Sequence, residues 1–249
     1  MGPSFVPRDL HVLVTCEHGG CHVPEQYISL FRGKDDLLKG HRGYDAGALD
    51  IARSISRKLK ARLFHSRLTR LLVDLNRSDR NPRVFSELSA ALPEEERKKI
   101  LRKYHEPYRR NIERYIDKMT RRGSFVLHIS VHTFTPILKG RARNADIGLL
   151  YDPSRKAELR ICSAVKKLIS AKSPALKVRR NYPYLGISDG LTTHLRKQFN
   201  DDIYAGIELE VNQRLQTPSC GTRLNFTGAL SGAFGSLDLA DMSERHLKC

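Results

Sequence analysis

His11-Val12-Leu13-Val14-Thr15 runs directly into Cys16-Glu17-His18-Gly19-Gly20. The first five residues are a β-branched apolar run between Arg8-Asp9 and a polar, glycine-bearing segment, which is the pattern of a buried strand ending in a turn. Such a turn stands at the carboxyl end of a core strand, where α/β sheets open their ligand crevices. Further apolar runs occupy residues 71–74, 125–131, 147–151 and 205–211. Between these runs, Ala48, Ile51, Ala52, Ile55 and Leu59 recur at helical spacing across residues 44–59, with Arg53, Arg57, Lys58 and Lys60 decorating the other face. Helices are also predicted over 93–122, 154–171 and 190–198. Strands separated by helices predict an α/β fold: a single domain over residues 1–249 with a mixed twisted β-sheet, largely buried and flanked by helices.

Composition narrows the class. Of 249 residues 40% are apolar, too many for a disordered chain, while Gly 17 and Pro 11 are too few for a fibrous or low-complexity one. No apolar run approaches the length of a membrane span. The N-terminal Met-Gly-Pro-Ser-Phe-Val-Pro-Arg lacks the apolar centre of a signal peptide, and five cysteines (Cys16, Cys21, Cys162, Cys220, Cys249) leave an odd thiol and no paired framework. A reducing, cytoplasmic setting is therefore expected, with Cys16 and Cys162 as small buried apolar residues. Lys+Arg 44 against Asp+Glu 27 gives a net charge of +17, so an anionic ligand is easier to accommodate than a cationic one. The run Glu94-Glu95-Glu96-Arg97-Lys98-Lys99 reads as a solvated helix face with its own ion pairs rather than a nucleic-acid surface.

Three polar clusters follow apolar runs: Glu17-His18-Gly19-Gly20, Asp74-Leu75-Asn76-Arg77 and Ser130-Val131-His132-Thr133. If they converge beyond the strand ends, His18 and His132 suit a transition metal, and the third ligand is one of Asp45, Glu17 and Cys21. A metal hydrolase also needs a carboxylate that moves a proton from water to the leaving nitrogen. In Gly206-Ile207-Glu208-Leu209-Glu210-Val211 the alternation puts both glutamates on one face of a strand and the apolar residues on the other. Arg70 and Arg77, at either end of the 71–74 run, are the cations suited to an oxyanion and to a substrate carboxylate.

Taken together, Cys16-Glu17-His18-Gly19-Gly20-Cys21-His22-Val23-Pro24, Tyr44-Asp45-Ala46-Gly47-Ala48, Thr69-Arg70-Leu71-Leu72-Val73-Asp74-Leu75-Asn76-Arg77, Ser130-Val131-His132-Thr133-Phe134 and Glu208-Leu209-Glu210-Val211-Asn212-Gln213 resemble the N-formylglutamate amidohydrolase family. The resemblance spans residues 11–215. The Asp-Leu-Asn-Arg string is shared with aspartoacylases, and the wider group is similar to the zinc carboxypeptidase (phosphorylase/hydrolase-like) fold. The resemblance implies one zinc ion on His18, His132 and Asp45, with Glu210 as catalytic carboxylate, Arg70 as oxyanion arginine, and Asn76 with Arg77 gripping the substrate carboxylate. It departs from the carboxypeptidase-like pattern at Cys21, where a Glu is usual. Tyr104-His105-Glu106-Pro107-Tyr108 and Asn181-Tyr182-Pro183-Tyr184-Leu185-Gly186 also resemble family segments, the second either a loop that lines the acyl-amino-acid pocket or a packed loop rich in turn residues.

The expected activity is hydrolysis of an N-acylated acidic amino acid such as N-formylglutamate, with a small anionic substrate, no membrane partner and no nucleic acid. The alternatives are a zinc metallopeptidase of carboxypeptidase type and a non-catalytic basic protein that binds polyanions.

Overall fold

A computed structural model of the chain describes residues 7, 9–216 and 223–237, so Cys220 and Cys249 lie outside the described residues. The opening run is a strand, β1 (Asp9–Cys16), followed by α1 (Asp35–Lys39), α2 (Ala48–Leu59) and β2 (Arg62–His65). Next come α3 (Glu87–Ala90), α4 (Glu94–Ile100), a π-helical turn (Leu101–His105) and α5 (Glu106–Thr120), then β3 (Ser124–Phe134). A two-strand hairpin, β4 (Ile137–Leu138) and β5 (Arg141–Ala142), leads to β6 (Ile147–Leu150), α6 (Lys156–Lys172) and β7 (Val178–Arg180). The last elements are α7 (Leu191–Arg196), β8 (Tyr204–Asn212) and α8 (Arg223–Gly235).

Six strands form one sheet in the order β2-β1-β3-β8-β6-β7. β2, β1, β3 and β8 are parallel, while β6 runs antiparallel to β8, which makes the sheet mixed as the sequence predicts. Alternation divides the residues of each strand between two faces. One face, carrying Val14, Ile129, Val131, Ile207, Leu209 and Val211, packs on α2, α6 and α8 through Ile51, Ile55, Ile161, Val165, Leu230 and Phe234. Cys16 and Cys162 are fully buried there, as expected. The other face is apolar only at the amino-terminal half of the strands, where Leu13, Val126 and Tyr204 pack on α5 and α7. Each such fully buried Leu or Ile contributes about 1.5–3 kcal/mol. Farther along, that face carries Thr15, Ser130, His132, Glu208 and Glu210, so the sheet changes from core to site along its own strands.

Two local expectations are corrected, and the helices predicted over 93–122 are found. Residues 71–74 are a buried turn and not a strand: Leu71, Leu72 and Val73 are covered by Tyr27, Phe31, Val84 and Ile100 in a second small core built from loops and short helices. Their apolarity reflects burial, and burial alone does not imply sheet pairing. The 44–59 helix starts at Ala48, because Gly47 stands before it with φ 74°, a left-handed conformation that leaves Tyr44 and Asp45 in a turn. The 93–122 region is α4 and α5 joined through the π-helical turn. The charged run on α4 forms exposed pairs, Lys98 with Glu94 and Glu95, and Lys99 with Glu96. Among the described residues no helix is long and apolar enough to cross a membrane.

Candidate active site

β1, β3 and β8 bring the polar clusters together by register. Thr15 lies opposite Ser130 and Ser130 opposite Glu208, while His132 lies opposite Glu210. Just past β1, Gly19 and Gly20 pass so close to the next segment that an added Cβ would stand 2.8 Å from the carbonyl oxygens of Ser66 and Arg67. Gly19 N donates to Ser66 O, and this approach turns the chain so that His18 faces the sheet end. Asp45 N donates to the His18 carbonyl at 2.9 Å, which delivers the turn before α2 to the same place.

The result is a group of three buried side chains, His18, Asp45 and His132, whose donor atoms lie within 4.8 Å of one another. Both imidazoles turn Nδ1 to Asp45 Oδ2, at 3.4 Å from His18 and 2.9 Å from His132. Each turns Nε2 to a second buried carboxylate. His18 Nε2 donates to Asp74 Oδ1 at 2.7 Å, and His132 Nε2 faces Glu17 Oε2 at 3.2 Å. Glu17 is fixed in turn by hydrogen bonds from Ser130 Oγ at 2.7 Å and Tyr108 Oη at 3.1 Å. A carboxylate behind each imidazole sets its tautomer and raises its basicity as a ligand. Of the three residues weighed as the third ligand, the group contains Asp45; Glu17 stands behind His132, and Cys21 is half-buried outside the group.

Charge follows from this packing. Burial works against the imidazolium of His132, but hydrogen bonds to Asp45 and Glu17 outweigh it and hold its pKa well above the ordinary value. Burial and Arg70 lower that of His18, yet Asp74 and Asp45 raise it overall. Burial disfavours the Asp45 carboxylate, but the Arg70 guanidinium, with which it pairs, and both histidines keep its pKa well below the usual range. Glu210, itself buried, lacks comparable partners: its Oε2 has no hydrogen bond, and burial, with Asp45 and Glu208 nearby, lifts its pKa to about 7 despite the opposing pull of His132 and Arg70.

These groups border a cavity of about 390 Å³ that Arg70, Asn76, Arg77, Glu208 and Tyr184 also line. Asn76 Oδ1 accepts from Leu191 N at 2.7 Å, which fixes the amide and leaves Nδ2 as its donor for a ligand. Arg77 Nη1 donates to Asp189 O at 2.9 Å. His18, Asp45, Arg70, Asn76, Arg77, His132 and Glu210, far apart in sequence, therefore meet at one cavity. The 181–186 loop lines it through Tyr184 and Leu185, the first of the two readings of that segment. The 104–108 segment instead buttresses from behind, through Tyr108 on Glu17 and His105 Nε2 on Arg77 O at 2.8 Å.

The sequence pattern of the family described as N-formylglutamate amidohydrolase matches residues 10–216. The chain belongs to the N-formylglutamate amidohydrolase family. This amidohydrolase is thus a hydrolase acting on amide bonds. Among solved structures, it is similar to a gene product of Agrobacterium tumefaciens at 29% identity, with a TM-score of 0.77 over 92% of this chain and 90% of that one. The fold is also that of an N-formylglutamate amidohydrolase from Ralstonia eutropha JMP134, at 16% identity and TM-score 0.65 over 92% and 93% of the two chains. A metallo-carboxypeptidase from Burkholderia cenocepacia stands farther off, at 16% identity and TM-score 0.35 over 96% of this amidohydrolase and 56% of the other chain. No curated protein matches the sequence.

Two residues of the amidohydrolase site escaped sequence reasoning in their actual roles. Asp74 read as the close of a strand, yet it orients His18. Glu17 read as a ligand candidate, yet it orients His132. The available signal was position: both lie within two residues of a site residue already singled out.

Proposed function

We propose that the chain, acting as one domain, hydrolyses the acyl-amide bond of an N-acylated acidic amino acid such as N-formylglutamate, with one divalent metal ion, zinc by donor chemistry. The observation that carries this reading is the meeting of His18, Asp45 and His132 in a cavity shared with Glu210, Arg70, Asn76 and Arg77. Two imidazoles and one carboxylate are a usual donor set for catalytic zinc. Four buried carboxylates, Glu17, Asp45, Asp74 and Glu210, crowd these imidazoles, and a dication offsets that negative charge. The ion, when bound, supplies Lewis-acid polarisation and makes water more acidic.

The chain's own residues then divide the work. Glu210, poised by burial near neutral pH, takes a proton from the attacking water and passes it to the departing nitrogen. The water oxygen bonds to the acyl carbon as the C–N bond breaks, giving the acyl acid and the free amino acid. Arg70, in the cavity, offsets charge that gathers on the acyl oxygen. Arg77 and Asn76 Nδ2 hold the substrate's α-carboxylate by charge-assisted hydrogen bonds. A cytoplasmic setting fits the buried free thiols of Cys16 and Cys162.

Glu210→Gln is expected to lower kcat by about a hundredfold to ten-thousandfold and to leave metal content intact. His18→Ala and His132→Ala are expected to lose the metal, read by elemental analysis. Full turnover in the first, or unchanged metal in both of the others, sinks the assignment. A panel of N-formyl and N-acetyl amino acids beside short peptides separates this activity from that of a metallopeptidase.

A further inference from the structure

We propose that Arg143 is the specificity-determining cation of the cavity, receiving a second carboxylate on the substrate's side chain and thereby selecting diacidic N-acyl amino acids over neutral ones. This rests on the amidohydrolase reading and adds to it the residue that sets the substrate class.

Four arginines line the cavity: Arg70, Arg77, Arg83 and Arg143. Arg70 pairs with Asp45 and already has the acyl oxygen as its proposed charge. Arg77 is tied to the Asp189 backbone and shares its charge with Asp74 and the Asp189 carboxylate, whose pKa values it helps to lower. Arg83 is exposed. Arg143 differs from all three. It is half-buried on the loop after β5, and among the described residues no carboxylate pairs with it.

Its guanidinium is nevertheless held in place. It lies over the Tyr184 ring at 5.1 Å and the Phe134 ring at 5.6 Å, and Nη2 donates to Tyr184 Oη at 2.9 Å. Its backbone N donates to Pro136 O at 2.8 Å. Ring faces orient a guanidinium without neutralising it, and its remaining N–H groups keep the fork that matches a carboxylate. A side chain already ordered loses less entropy on binding. Tyr184 lines the same cavity as Arg70, His132 and Glu210, so the Arg143 guanidinium it holds faces the site.

Charge count then selects the ligand. A monoanion held by Arg77 and Asn76 leaves Arg143 without a counter-charge, whereas a substrate with two carboxylates satisfies both arginines, which are carried by separate loops. A neutral isostere presents an amide to Arg143 and forfeits one charge-assisted interaction, which corresponds to about tenfold to a hundredfold in affinity.

The test compares glutamate with glutamine, as free amino acids in calorimetric binding and as N-formyl derivatives in turnover, for the metal-loaded wild type, Arg143→Met and Arg143→Lys. The wild type is expected to prefer the glutamate ligands by about tenfold or more. Arg143→Met is expected to bring the two ligands to near equality, mostly by weakening glutamate, and Arg143→Lys to restore part of the preference. A wild type that binds both equally, or a preference that survives in Arg143→Met, overturns the proposal. If neither N-formyl compound is turned over while the glutamate preference in binding depends on Arg143, the hydrolase reading falls and the Arg143 assignment stands.

Discussion

Asp74 shows how much one side chain can organise. Its Oδ1 accepts from His18 Nε2 at 2.7 Å and from the backbone N of Asn76 at 3.0 Å, so a single oxygen fixes both a candidate ligand and the residue proposed to hold the substrate carboxylate. Burial disfavours its charge, but His18 and Arg70 keep its carboxyl ionised far below the usual range. Asp74→Asn removes the charge and keeps the shape. We expect metal affinity to drop by about tenfold to a hundredfold, measured by competition with a chelator, because a neutral partner leaves His18 less basic. Unchanged affinity contradicts the role given to Asp74. The same logic explains why alternation in β8 singled out Glu208 and Glu210 but could not rank them: Glu208 Oε1 accepts from Thr192 Oγ1 at 2.9 Å, whereas Glu210 Oε2 has no partner.

At the scale of the element, the junction of α4 and α5 supports the site from outside the cavity. The π-helical turn at Leu101–His105 sets the rotation of α5, so that His105, Tyr108 and Arg109 all face the site from behind. Arg109 Nη1 donates to the carbonyls of Leu75, Asn76 and Arg77 at 3.2, 3.3 and 3.1 Å, and His105 Nε2 reaches the last of these as well. A segment without strand pairing has its carbonyls satisfied by one helix instead. Arg109→Met should leave three carbonyls without that donor and destabilise the fold by about 1–3 kcal/mol in urea titration. With Asn76 and Arg77 loosened, KM for an N-acyl amino acid should rise more than kcat falls, and Arg109→Lys should recover part of the loss. An unaltered KM in a folded Arg109→Met protein tells against this positioning.

On the scale of the whole molecule, the sheet carries a buried polar column beneath the site. His128, fully buried, pairs through Nε2 with Thr15 Oγ1 at 2.8 Å and through Nδ1 with Tyr204 Oη at 2.9 Å. Burial lowers its pKa from 6.5 to about 4. The unfolded chain therefore takes up the proton first as pH falls. The contribution of neutral His128 is present in full above about pH 6.5 and is lost between there and about pH 4, amounting to about 3 kcal/mol. Glu17 and Asp74 have lowered values, so their stabilisation is lost at still lower pH. His128→Gln, which keeps a donor and an acceptor, should flatten the dependence of the urea midpoint on pH between 6.5 and 4. An unchanged slope excludes His128 as its source. The surplus of basic residues does not act as one field: several are paired on helix surfaces, as on α4, while in the cavity Arg70 pairs with Asp45 and Arg77 with the Asp189 carbonyl.

Much of this protein is determined by its sequence alone. Continuous apolar runs located β1, β3, β6 and β8, and helical spacing located α2 and α6, because each buries enough consecutive or periodic apolar residues to leave a signal. His18, Asp45, Asn76, Arg77, His132 and Glu210 were also legible, since they lie in strings whose resemblance to a family survives without coordinates. Features that lacked a local signal were settled only by tertiary structure. Residues 71–74 are as apolar as a strand, yet the helices and loops around Tyr27, Phe31 and Ile100 bury them as a turn. The grouping of Asp45 with His18 and His132, which the resemblance implied, is produced in space by the turns at Gly47 and Gly19-Gly20. The oriented state of Arg143 depended on two rings 9 and 41 residues away. Local propensity acts over a few residues, whereas ligand geometry and charge pairing are set by contacts across the chain, which only packing brings within reach.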